Sequence, residues 1–144
     1  METNLKGIRR VPYIVCGPPT GKWVNKPSVE YSGYGDLLCL ECWGVRYFRS
    51  DYNAVKEQIE RFIEWYTCEN QYLSYNDLYN LFGISESTMG GNYGYAPSVD
   101  YRIEMSFELT LCGRGTKLYE EMGEKVLLIE PSHGSEPFEG FMEV

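Results

Sequence analysis

One histidine, His133, has to serve the whole chain of 144 residues. A metal centre built on imidazoles, or a nucleophile driven by one, has almost nothing to work with. Basic residues are also short, with 13 Lys and Arg against 21 Asp and Glu and a formal net charge of -8. Such a surface repels phosphate backbones, which argues against direct nucleic-acid binding. No run approaches the ~20 apolar residues of a membrane helix, so no membrane role is expected. The start, METNLKGIRR, lacks the apolar stretch of a secretory signal, and the expectation is a protein that stays in the cytosol. Cysteine is odd in number: Cys16, Cys39, Cys42, Cys68 and Cys112 form no disulfide framework and read as small buried hydrophobes in a reducing compartment.

What is present suits a globular protein. Hydrophobic content is 43%, and a chain of this length buries roughly two-thirds of its unfolded surface without staples. Tyrosine is abundant, with 13 copies. It combines a large contact area with a polar tip and few rotors, which suits recognition surfaces as well as small cores.

Residues 1–35 are rich in glycine and proline (GPPTGKWVNKPSVEYSGYG) and read as an arm, either lying against the domain or binding a partner, with a strand ending at Cys16. Residues 36–144 read as one α+β domain. DLLCLECWGVRYF predicts a strand, a tight turn near Gly44 and a second short strand. Ser50 or Asp51 then caps a helix whose apolar stripe is Tyr52, Val55, Ile59, Phe62, Ile63 and Tyr66. Its polar face pairs Glu57 with Arg61 at i,i+4. A second helix starts at Ser74, with Asp77 near its N-terminus and Leu73 and Leu78 as a hydrophobic staple. Gly83 and Ile84 close it. Residues 99–111 alternate strictly, with Val99, Tyr101, Ile103, Met105, Phe107, Leu109 and Leu111 on one face, predicting a long strand paired with KVLLIEP. The expected architecture is a small antiparallel sheet with two helices packed on one face.

The chemical motifs are weak. GPPTGKW (residues 17–23) is one residue short of a phosphate-cradling P-loop, puts Trp23 where a hydroxyl is needed, and leads into Asn25 and Pro27 instead of a helix. CLEC (residues 39–42) has zinc-knuckle spacing but no second pair, and its cysteines sit in an apolar strand. His133 lies in the turn-rich PSHGSEP with no cysteine beside it in sequence. No catalytic set, cofactor site or metal site is therefore expected, and the chain reads as not an enzyme.

Two surfaces remain as candidates for binding a protein partner. One is the glycine-flanked loop bearing Tyr93 and Tyr95, whose competing reading is a loop packed on its own domain. The other is the acidic C-terminal portion with Glu120, Glu121 and Glu124, whose charges suit a basic groove; its competing reading is a solubilising face.

YFRSD (residues 47–51), YLSYNDLYNLFGI (72–84), VDYRIEMSFEL (99–109) and GEKVLLIEP (123–131) follow in order with a glycine loop between. Over residues 38–131 this resembles the C-terminal domain of an uncharacterised family, a domain of unknown function from phages and prophages of gut Firmicutes. The resemblance implies a phage or prophage origin and an α+β core, and carries no catalytic residue across. It makes the leading expectation a phage-encoded inhibitor of a host defence effector, anti-CRISPR-like or otherwise anti-defence, acting in the host bacterial cytoplasm. The alternative is a virion or assembly accessory protein of tail or capsid, and a third, less favoured reading is an enzyme whose site is too diffuse to read from one sequence.

Overall fold

The computed structural model describes residues 13–16, 24–96, 105–132 and 137–139. β1 (Tyr13–Cys16) and β2 (Val24–Pro27) pair antiparallel as a two-stranded sheet with Tyr13 opposite Pro27. β3 (Val29–Tyr31), β4 (Leu37–Glu41) and β5 (Arg46–Ser50) follow, then α1 (Tyr52–Thr67). β6 (Leu73–Ser74), α2 (Tyr75–Phe82), α3 (Thr88–Asn92) and β7 (Tyr93–Tyr95) come next. After them run β8 (Phe107–Cys112), α4 (Lys117–Met122), β9 (Val126–Pro131) and β10 (Phe138–Glu139).

The fold is α+β. Its main sheet has five strands in the order β3-β5-β4-β9-β8, and a small sheet runs β10-β7-β6. The expected antiparallel sheet is corrected to a mixed one: β4–β5 and β8–β9 are antiparallel, while β3–β5 and β4–β9 are parallel. The reason lies in the connections. A tight turn joins β4 to β5 and returns the chain, whereas β9 reaches β4 only after a crossover through the helices, which suits parallel pairing. β3, from the segment read as an arm, is one of the two edge strands of this sheet, β8 being the other.

Local chemistry explains the helices. The Asp51 carboxylate accepts from the backbone N–H of Asn53 at 3.0 Å and Ala54 at 3.3 Å, satisfying donors that α1 leaves open. Ser74 and Asp77 form a reciprocal capping box at α2, at 3.2 and 2.8 Å. Gly83 ends α2 in the left-handed region at φ 87°. Between β8 and β9 stands α4, punctuated the same way: the Thr116 hydroxyl accepts from Tyr119 N–H, and Gly123 closes the helix at φ 78°.

The core lies between the main sheet and α1 and α2. Val55, Ile59, Phe62 and Tyr66 of α1 meet Leu78, Tyr79 and Phe82 of α2 and Cys39, Phe48, Leu127 and Ile129 of the sheet. The Phe48 and Phe82 rings stack at 5.1 Å. On the opposite face Leu38, Leu40 and Val126 are covered by Leu118 and Met122 of α4. Tyr52, counted in the stripe of α1, is exposed. Val99, Tyr101 and Ile103 of the expected long strand lie outside the described residues, as do residues 17–23 and His133. In β8 the alternation holds as far as Thr110, with Phe107 and Leu109 packed on the core and Glu108 and Thr110 exposed, and then breaks: Leu111, expected on the apolar face, is exposed and Cys112 is buried. Among the described residues no helix is long and apolar enough to cross a membrane.

Candidate functional site

Glu41 closes β4 on the face that α2 covers, opposite Arg46 in the register of the hairpin. It is fully buried, an unusual state for a carboxyl group. Tyr79 of α2 donates its hydroxyl to Glu41 Oε1 at 2.8 Å, and Gly44 N–H donates to both carboxyl oxygens at 2.9 and 3.1 Å. Burial pushes Glu41 up to about 7, against the bonds from Tyr79, Gly44 and Trp43 and the nearby charge of Arg46, which favour the ionised form. Glycine at position 44 leaves room for the Tyr79 bond, because a Cβ there would press on Tyr79 Oη and Glu41 Oε1 and one of the two would have to move.

Arg46 carries the network outward. Its guanidinium carbon lies 4.6 Å from the Tyr79 ring centroid, and Nη2 donates to Glu30 Oε2 at 2.7 Å and to the Ser85 carbonyl at 3.1 Å. Glu30 in turn accepts from Ser85 N–H at 2.9 Å and Ser85 hydroxyl at 2.8 Å. Burial works to raise the Glu30 carboxyl, but the bonds from Ser85 and Arg46 outweigh it and hold it below its ordinary range. Arg46 Nη1 is buried without a hydrogen-bond partner. The cluster ties β3, β4, β5, α2 and the loop after α2 together around a proton exchanged near neutrality. Its central carboxyl has no solvent exposure.

Cys39 is fully buried, and burial drives its thiol up to about 12, which favours the protonated form. Cys42 stands in the turn after β4. Among the described residues no three His, Cys, Asp or Glu side chains gather as metal ligands.

The sequence-derived surface candidates separate. Tyr95 is fully buried and meets Phe62 at 6.1 Å, Tyr66 at 6.0 Å and Tyr75 at 6.3 Å between ring centroids. It belongs to the core because β7 is held between β6 and β10, with Leu73 opposite Tyr95. Tyr93 is half-buried beside Trp43 at 5.3 Å, and Trp43 packs on Tyr75 at 4.3 Å. Glu120 and Glu121 are exposed on α4. Glu124 is engaged elsewhere: its two oxygens accept from Arg49 Nη1 at 2.6 Å and Nη2 at 3.0 Å. The bond from Glu124 raises the Arg49 guanidinium further above its ordinary value, against burial and with a smaller contribution from Tyr31.

Sequence reasoning missed the tyrosines that do reach solvent: Tyr31 at 72% exposure, Tyr34 at 55%, Tyr72 and Tyr52. For Tyr34 the signal lies in SGYGD, where a glycine stands on each side of the ring; Tyr31, Tyr52 and Tyr72 have no glycine beside them. Tyr31 and Tyr34 border a turn pinned to β5, since the Arg49 carbonyl accepts from Ser32 N–H at 3.2 Å and Ser32 hydroxyl at 2.7 Å. The Arg49 side chain donates to the Asp36 carbonyl at 3.1 Å. Tyr34 also walls a cleft of about 260 Å³ with Ala54, Glu57, Gln58, Arg61 and Leu81.

No solved structure matches the chain. A similar protein is the hydrolyase ccsE of Aspergillus clavatus, 31% identical over 87 residues that make up 60% of this chain and 19% of that protein. The match thus spans about a fifth of the relative's length. The expectation that the chain is not an enzyme is overturned by this similarity to a protein named for an enzymatic activity. A family model described as a family of unknown function, DUF6353, matches residues 19–132. The chain belongs to that family.

Proposed function

We propose that the chain is a protein-binding module whose contact surface is built from exposed tyrosines beside acidic faces. One observation carries this reading. Among the described residues, four of the five large apolar side chains left in solvent are tyrosines: Tyr31, Tyr34, Tyr52 and Tyr72. Three of them, Tyr31, Tyr34 and Tyr52, flank the pinned turn and the start of α1. Amphipathic rings on a braced backbone lose little entropy on docking, which is how a few residues come to dominate an interface. The net charge of -8 adds long-range attraction for a basic partner.

In its finer form the reading takes the phage or prophage origin that the sequence resemblance implies. The partner is then a host defence effector whose basic groove the acidic side chains occupy in place of phosphates. The test is recovery of the tagged protein from a Firmicute host, with bound proteins identified by mass spectrometry. One host effector near equal stoichiometry is the expected result. Recovery of the chain alone, or of virion proteins during infection, overturns the inhibitor.

The similarity to a hydrolyase favours a second reading, in which the same surface attaches the module to an enzyme. An 87-residue match inside a much longer relative is domain-sized. Co-recovery of one metabolic enzyme, with altered turnover when the module is added back, is the outcome that selects it.

A further inference from the structure

Arg46 stands between two carboxyl groups and serves one of them. Its Nη2 donates to Glu30 Oε2 at 2.7 Å and to the Ser85 carbonyl and hydroxyl oxygens, each at 3.1 Å. Its Nη1 is shielded from water and has no acceptor, a costly state for a charged donor. The second carboxyl is that of Glu41, opposite Arg46 in the β4–β5 hairpin. Tyr79 links the two: the guanidinium lies over its ring, and its hydroxyl donates to Glu41. The turn between Glu41 and Arg46 is strained, because the β-branched Val45 sits in the left-handed region at φ 56°. A buried donor without a partner, a buried carboxyl on the facing strand and a strained turn between them make a joint with two arrangements.

We infer that Arg46 is a proton-controlled latch: with Glu41 neutral it holds Glu30 and Ser85, and with Glu41 ionised it turns Nη1 to the Glu41 carboxylate and releases Ser85. The direction follows from burial. The Glu30 side chain is 37% exposed, so water weakens its hold on Arg46. Glu41 has no exposure, and an unmatched charge there draws the neighbouring cation strongly. Facing Glu41 are Tyr75 and Tyr79 from α2 and Arg46 from β5, while β9 sets the uncharged Ile129 opposite it. Burial drives both phenols well above their ordinary range, so neither supplies the change. Glu30, which burial raises less than Ser85 and Arg46 lower it, is ionised on both sides of the change. Of this set Glu41 alone exchanges its proton near neutrality, pushed up by burial to about 7. Below that value the latch is closed. Above it, β3 and the loop after α2 lose the cation that joins them and keep the direct bonds from Ser85 to Glu30.

The test compares crystal structures of the full chain at about pH 6 and about pH 8.5, with the Glu41 carboxyl carbon followed by NMR over the same range. At the higher pH, Nη1 should come within hydrogen-bonding distance of Glu41, and both contacts from Nη2 to Ser85 should be lost. In solution the Ser85 amide signal should move with the midpoint of the Glu41 titration. Glu41→Gln, whose amide does not ionise, should keep Arg46 on Glu30 and Ser85 at both pH values. An Arg46 that stays in place while Glu41 titrates overturns the proposal, as does a Glu41 that holds its proton throughout. A Gln variant in which Arg46 moves just as far overturns it too. The first two outcomes are read on the unaltered protein, so a variant that fails to fold does not rescue the latch.

Discussion

Glu41 makes the stability of this fold fall as pH rises through the mildly acidic range. The group exchanges its proton near its ordinary value of 4.5 when unfolded and near about 7 when folded. Below 4.5 both states hold the proton and the group contributes nothing. Between 4.5 and 7 the unfolded chain releases the proton while the folded one keeps it, so unfolding gains ground with every step of pH. Above 7 both are ionised and the deficit stays constant. At about 1.4 kcal/mol per pH unit the loss amounts to roughly 3 kcal/mol, a large share of a small domain's stability. The assay is urea denaturation followed by circular dichroism, from about pH 5 to pH 8, on the wild type and on Glu41→Gln. The amide does not titrate, so the variant should lose this slope; it should be no more stable than wild type at the acidic end and gain on it toward pH 8. Glu30 stays out of this comparison. Its depressed carboxyl contributes stability present above 4.5 and lost as pH falls below that value. A wild-type stability that is flat or rising between pH 5 and 7, or a variant with the same slope, would refute the reasoning.

Gly44→Ala should destabilise by about 1–3 kcal/mol, because the new methyl group displaces Tyr79 Oη or the Glu41 carboxyl; thermal melts read this directly. Tyr95→Ala should cost about 3–5 kcal/mol of stability as a core cavity, whereas Tyr31→Ala should leave the melting temperature unchanged and weaken the partner complex by about 1–2 kcal/mol. Glu124→Gln should cost at most about 1 kcal/mol, since the pair with Arg49 is partly exposed, and Glu120→Gln nothing measurable. Reversing Glu120 and Glu121 to Lys should weaken binding to a basic partner, with raised salt doing the same; unchanged affinity in both experiments removes charge from the recognition.

What could be read from the sequence was what neighbours in the chain decide. The capping box of Ser74 and Asp77 spans three residues, and the turn between Glu41 and Arg46 is equally local. Both the hairpin and α2 were therefore visible in the letters. α4 was not, because a six-residue helix without a buried side chain leaves no periodic stripe. The parallel pairing of β4 with β9 joins residues almost ninety positions apart, as Leu38 opposite Val126. Alternation marks each strand but does not name its neighbour. Tyr95 shows the same limit at the site. Glycines beside it suggested exposure, while the strand it sits in places the ring among Phe62, Tyr66 and Tyr75. Glu124 read as free charge because Arg49 lies 75 residues earlier, and Glu41 looked like an ordinary polar residue because Tyr79 approaches it from a helix 38 residues further on.

The place of β9 in the sheet has a consequence for how the protein is born. β4 is the central strand, and β9 is the neighbour on one of its two sides. During synthesis the ribosome releases β4, β5, α1 and α2 well before residues 126–131 exist, so the nascent chain carries an open strand edge and a core that lacks Leu127 and Ile129. Closure has to wait for a contact of long sequence separation, the kind that slows folding and leaves intermediates open to association. A chain cut short before Val126 should accumulate in inclusion bodies, while the same chain supplied with residues 126–131 should become soluble late and all at once.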